Sequence, residues 1–158
     1  MKKIWIGNDH GGYEMKLQLL EHLEKNGFLV VNVGSDSTEN VPYPYYAMEV
    51  ATAISRDEAD RGILICSTGI GMSIIANKFK GVRASLCKST YMAKMTRAHN
   101  NSNILCLGAK TTGITEVFDI LDTWLSIGYE GGKYDISLGL IDEVEKAICN
   151  PNGRFKFQ

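Results

Sequence analysis

The residues best suited to chemistry cluster after one short apolar run. Ile63-Leu64-Ile65 ends on Cys66, and Ser67-Thr68-Gly69-Ile70-Gly71-Met72-Ser73 follows as a glycine-spaced turn leading into a helix. This layout puts a thiol where a strand stops and unpaired backbone N–H groups begin. Amides at a helix N-terminus carry partial positive charge and attract anions. The same field favours a thiolate over a thiol. Cys66 is thus a candidate base or nucleophile beside an anion hole. Two glycines with Thr68 and Ser73 suit a small anion such as a phosphate or an enediolate oxygen. The turn matches a dinucleotide fingerprint only weakly, because the full G-x-G-x-x-G at a first strand is absent.

A second group, Asn8-Asp9-His10-Gly11-Gly12, follows the first apolar run. Asp or Asn before a helix commonly caps it. His10 adds a titratable group that capping does not need, and the glycine pair permits close backbone approach to a ligand. His99-Asn100-Asn101 ends a later helix, where the negative end of the helix dipole alone would account for a histidine. His22 lies inside the first helix and reads as structural. Glu39, Glu49 and Glu58 show no paired-carboxylate spacing, so glycosidase chemistry has no support.

The elements that must hold these residues alternate between strand and helix. Strands are expected over 3–8, 28–33, 62–66, 82–87 and 104–107, the last closed by Gly108. Helices are expected over 13–26, 45–56, 74–79 (with its first turn from Met72), 90–100, 115–127 and 136–149. Residues 34–44 read as a polar loop holding two of the three prolines, and Pro151 with Gly153 ends the last helix. Repeated strand–helix units imply a parallel sheet covered on both faces, with right-handed crossovers. Ligands in such sheets bind beyond the carboxyl ends of the strands. Asp9, His10, Cys66 to Gly71 and Lys110 all fall at those ends.

The 158 residues are read as a single domain over 1–150 followed by a short tail, 151–158. The formal net charge of -1, with scattered Lys and Arg, argues against nucleic acid or an acidic membrane surface as the main partner. No apolar run approaches the roughly 20 residues that span a bilayer. Lys2-Lys3 gives a basic start, but Gly7-Asn8-Asp9 breaks the following apolar run, so no secretory signal is expected and the chain is assigned to the cytoplasm. None of the four cysteines forms a C-x-x-C pair, so no metal site is expected. Cys87 and Cys106 read as buried apolar residues. Cys66 could also act as a redox-sensing thiol.

Taken together, these segments resemble ribose-5-phosphate isomerase type B, in the family shared with the galactose-6-phosphate isomerase subunits. The likeness rests on Gly7-Asn8-Asp9-His10, Tyr43-Pro44-Tyr45-Tyr46-Ala47, Gly62 to Ser73, Ala76-Asn77-Lys78, Gly81-Val82-Arg83-Ala84, His99-Asn100-Asn101-Ser102-Asn103 and Tyr129-Glu130-Gly131-Gly132, in the family's order. It implies a Rossmann-like three-layer α/β/α sandwich around a five-stranded parallel sheet. It implies a metal-free, cofactor-free aldose–ketose isomerase of the pentose phosphate pathway. It also implies a homodimer, or a tetramer, with active sites shared between subunits.

Position by position, the resemblance makes Cys66 the base that moves the proton between C2 and C1. Backbone N–H groups of Gly69, Ile70, Gly71, Met72 and Ser73 would hold the enediolate, and Ser67 would contact the substrate. Thr68 and Asp9 would bond O1 and O2, and His99 would assist ring opening. His10, Tyr43 and Asn100 would line the sugar or its phosphate. The type B enzymes carry arginines for the phosphate where this chain has Lys110, Lys133 and Ser137, and a histidine where it has Tyr134. Two lysines keep charge but lose the bidentate fork. A six-carbon sugar or its phosphate (allose, allose 6-phosphate, galactose 6-phosphate) is therefore an alternative substrate. A non-catalytic sugar-phosphate or nucleotide-binding module is the alternative from another class.

Overall fold

The computed structural model describes residues 3–148. Cys149, Pro151, Gly153 and the tail expected over 151–158 lie outside them. Five parallel strands form one sheet in the order β2-β1-β3-β5-β4. They are β1 (Lys3–Asn8), β2 (Leu29–Asn32), β3 (Arg61–Cys66), β4 (Ala84–Leu86) and β5 (Ile104–Gly108). The helices are α1 (Tyr13–Lys25), α2 (Tyr43–Ser55), α3 (Ile70–Ala76), α4 (Thr90–Asn100), α5 (Ile114–Ser126) and α6 (Lys133–Ile148). A 3-10 turn, His10–Gly12, precedes α1.

The three-layer α/β/α sandwich follows from strand side chains alternating between faces. Ile4, Ile6, Ile63, Ile65, Leu105 and Leu107 meet Leu19 and Leu23 of α1 and Val117, Ile120 and Trp124 of α5. Leu64, Cys66, Ile104 and Cys106 meet Val50 and Ile54 of α2 and Met72 of α3 on the other face. The central strands β3 and β5 are covered on both sides, which is why they read as unbroken apolar runs. β2 is an edge strand with no buried residue.

Element ends differ from the periodicity in instructive places. α2 starts at Tyr43, two residues before expectation, with Pro44 in its first turn; the fixed proline φ suits that position. α3 spans Ile70–Ala76 instead of running to Phe79. Asn77 stops it: its Nδ2 donates to the carbonyls of Ser73 and Ala84, and its Oδ1 accepts from the Ala84 amide. β4 is shorter than 82–87 because Val82 N–H bonds back to Phe79 and Arg83 N–H bonds to Asn103 Oδ1. α6 begins at Lys133 rather than 136, turned in by Gly131 and Gly132 at φ 66° and 62°. No residue of α6 is buried.

Candidate active site

The chain leaves β1 for β2 through α1 on one face and enters β3 through α2 on the other. The crevice between the carboxyl ends of β1 and β3 is thus the sheet's topological switch point, where ligands bind in such folds. Asp9 and Cys66 sit at those two ends. Ladder pairing of Asn8 with Ile65 sets them side by side, and Asp9 N–H donates to the Ile65 carbonyl over 3.2 Å.

Cys66 is 6% exposed, and its Sγ accepts a hydrogen bond from Gly69 N–H at 3.1 Å. The turn closes this tightly because Gly69 adopts φ 75°, a conformation that disfavours side chains. A Cβ there would also lie 2.6 Å from Leu86 Cδ1 and 2.9 Å from the Leu107 carbonyl carbon. The other cysteines on the sheet side are inert by contrast. Burial pushes the Cys87 thiol up to about 12. Burial raises Cys106 further, with Cys87 and Cys66 adding to it.

Of the turn amides expected to face an anion, three are already engaged. Gly69 serves the sulfur, Ile70 N–H donates to Thr68 Oγ1 at 3.3 Å, and Ser73 N–H bonds the Gly69 carbonyl inside α3. Ser73 Oγ donates to the Ile70 carbonyl. The Gly71 and Met72 amides have no partner among the described residues, so the anion hole is narrower than the whole turn. Thr68 and Ile70 are exposed; Ser67, Gly71 and Ser73 are half-buried, and Met72 is buried in the core.

The surrounding side chains are fixed by the neighbouring loops. Asp9 Oδ1 accepts from Gly11 N–H at 2.9 Å, so the capping role is present. His10 Nδ1 accepts from Val41 N–H at 3.2 Å, which leaves the neutral ring protonated at Nε2 and able to donate. The Tyr43 ring lies over Gly71, where a Cβ would come within 2.8 Å of its Cε2 and Cζ. Lys110 is exposed within the β5–α5 turn, and its N–H donates to the Ser67 carbonyl at 2.9 Å. It lines a cavity of about 270 Å³ with Gly11 and Thr112.

His99, Asn100 and Lys133 are not part of this cluster. Helix α4 runs antiparallel to the strands, and its eleven residues at about 1.5 Å each carry the chain ~16 Å back to the amino edge of the sheet. There the His99 ring stacks on Tyr134 at 4.1 Å between centroids, with 17° between planes. His99 Nε2 lies 3.8 Å from Glu130 Oε2, and Lys133 Nζ is 5.1 Å from the Tyr134 ring. The two groups of residues therefore lie at opposite edges of the sheet. His22 pairs with Asp122 at 2.6 Å and stacks on Phe118, as a structural residue would.

Sequence reasoning missed Lys16. Its side chain is fully buried, and Nζ donates to the Ser35 carbonyl at 2.7 Å and to Asp36 Oδ1 at 2.5 Å. Asn8 Nδ2 also donates to Ser35 and to the Asp9 carbonyl. Lys16 thus ties down the loop that carries Val41 and Tyr43 to the site. The signal was a lysine at the i−3 position to Leu19 in an otherwise apolar stripe. Among the described residues, no group of three or more His, Cys, Asp or Glu is placed to hold a metal ion, and no helix is long and apolar enough to cross a membrane.

The frame recurs in known proteins. Residues 4–141 match the family model described as Ribose/Galactose Isomerase. The chain is 42% identical over 146 residues to ribose-5-phosphate isomerase B of Escherichia coli, covering 92% of this chain and 98% of that one. It superposes on the Clostridium thermocellum ribose-5-phosphate isomerase B structure with a TM-score of 0.90 at 46% identity, covering 91% of this chain and 97% of that one. A Mycoplasma genitalium ribose-5-phosphate isomerase B structure with bound ribulose-5-phosphate matches with a TM-score of 0.88 at 38% identity, covering 91% and 96%. With residues 4–141 matching the family model and 42% identity to a relative over 92% of its length, the chain belongs to the ribose/galactose isomerase family.

Proposed function

We propose that this chain is an aldose–ketose isomerase that interconverts ribose 5-phosphate and ribulose 5-phosphate through an enediolate, without metal or cofactor. The observation that carries this reading is the Gly69 amide on Cys66 Sγ, 3.1 Å long, at the switch point beside Asp9. Cys66 as thiolate takes the C2 proton of the open-chain aldose and returns it to C1. Charge that develops on oxygen meets the Gly71 and Met72 amides, which need no reorganisation to receive it. The O2 hydroxyl loses its proton and O1 gains one; Asp9 and Thr68, flanking the crevice, serve that exchange. His10 Nε2–H, Tyr43 and Lys110 line the sugar and its phosphate.

The working unit is a homodimer. His99, Asn100 and Lys133 reach the crevice only if a second copy brings its amino edge to this chain's carboxyl edge. There His99 delivers a proton to the ring oxygen and takes one from O1 as the ring opens. An exposed apolar stripe on α6 (Ile136, Leu140, Ile141, Val144 and Ile148) supports such a partner, because a helix with no buried residue gains little by packing on its own chain. The cytoplasm, where sugar phosphates are handled, is the location that suits this activity.

Purified protein should convert ribose 5-phosphate to ribulose 5-phosphate, and Cys66→Ala should lose on the order of 10²–10⁴-fold in kcat while keeping its fold. Parent-level turnover by Cys66→Ala would remove the proposed base. The lysines at 110 and 133 favour testing six-carbon sugars in parallel. A panel of ribose 5-phosphate, allose 6-phosphate, galactose 6-phosphate and allose separates these substrates. Tight sugar-phosphate binding with no turnover of any of them would leave a binding module instead.

A further inference from the structure

We infer that Tyr134 is a positioning residue for His99, holding its imidazole in the orientation that ring opening requires. This rests on the isomerase reading above, in which His99 handles the closed sugar. Nothing on α4 itself fixes the ring: His99 occupies the last turn with about a third of its side chain exposed. Its surroundings come from the segment after α5. Glu130 N–H donates to the Ala98 carbonyl at 3.0 Å, pinning that segment to the end of α4. Gly131 and Gly132 then turn the chain through two positive φ values, and Tyr129 Oη donates to Asp135 Oδ1 at 2.7 Å across the turn. The result sets the Tyr134 face parallel to His99 at 4.1 Å, while Glu130 Oε2 lies 3.8 Å from Nε2.

A flat aromatic face removes rotation about the second side-chain torsion of His99, which is otherwise broad. The Glu130 carboxylate is too far for a direct hydrogen bond and so does not set the ring's tilt. The stack does. Lys133 neighbours the Tyr134 ring at 5.1 Å, but its flexible stem keeps the ammonium available whether or not the ring is present.

The test compares parent, Tyr134→Phe, Tyr134→Ala, His99→Ala and the Tyr134→Ala/His99→Ala double variant on ribose 5-phosphate. Tyr134→Ala should lower kcat roughly ten- to a hundredfold with KM within about threefold, since misplacing a catalytic group costs rate before binding. Tyr134→Phe should keep kcat within about twofold, and Tyr134→Ala should change little once His99 is already alanine. Parent-like kcat in Tyr134→Ala, or an equal further loss on the His99→Ala background, overturns the inference. A rise in KM that Phe does not rescue would make Tyr134 a substrate contact and overturn it too. A parent protein inactive on ribose 5-phosphate would sink the isomerase reading instead.

Discussion

Cys66 closes β3 at the carboxyl edge of the sheet, and His99 occupies the last turn of α4 at the amino edge. The two are separated by the length of that helix. A reaction needing both cannot occur within one chain. Cys66→Ala and His99→Ala proteins should each be nearly inactive alone. Mixed by co-refolding, they should recover about a quarter of parent activity, because half the dimers are mixed and each mixed dimer has one intact site. Recovery absent from demonstrably mixed dimers would count against a shared site.

Alkylation should distinguish the cysteines. Burial holds the Cys87 thiol up at about 12 and raises Cys106 as well, so both stay protonated at neutral pH and react slowly. In a Cys149→Ser background, iodoacetamide at pH 7.5 should modify Cys66 first, with activity falling in step. Ribose 5-phosphate should slow both. Peptide mass mapping reads the site, and earlier labelling of Cys87 would contradict the assignment.

Gly69→Ala should impair stability and rate together. The alanine must adopt φ 75° with its Cβ 2.9 Å from the Leu107 carbonyl carbon, backbone that cannot swing aside. The strained conformation alone costs of order 1–3 kcal/mol, seen as a lower Tm. Any relaxation moves the amide away from Cys66 Sγ, so kcat falls as well. A variant with parent Tm and kcat would show that the turn tolerates a side chain.

Acid should loosen the loop over the site. The Lys16 ammonium beside Asp36 holds its carboxyl below the usual carboxylate range, and Asn32 adds a second hydrogen bond. A depressed folded pKa contributes stability above the unfolded carboxylate value of about 3.9 and loses it as pH falls through the folded value. Urea midpoints of parent and Asp36→Asn should differ by a constant amount from pH 7 to about pH 5, then converge toward pH 2. A difference independent of pH over that span would exclude the ion pair as its source.

Much of this molecule was legible before any coordinates. Short apolar runs bounded by turn residues marked the five strands, and amphipathic stripes near period 3.6 marked helices, because those patterns are set by local backbone geometry and burial. Cys66 with its glycine turn, and Asp9 with His10, declared themselves because a strand end followed by glycine leaves amides unpaired. The 90–100 helix matched at both ends, where Ser89 accepts from Met92 N–H and Asn101 takes the left-handed φ of 47°. Element ends set by distant partners were not legible. Asn77 halts α3 by bonding Ala84 of β4, and Asn103 shortens β4 by taking the Arg83 N–H.

Tertiary structure alone decided which residues meet. The order β2-β1-β3-β5-β4 brings Asp9 beside Cys66, and the burial of Lys16 against Ser35 and Asp36 depends on how the loop after β2 folds over α1. Periodicity records the environment a residue wants, whereas proximity between distant segments depends on strand order and direction. For that reason a sequence in which Cys66 and His99 both read as chemically apt residues folds to place them at opposite edges of the sheet.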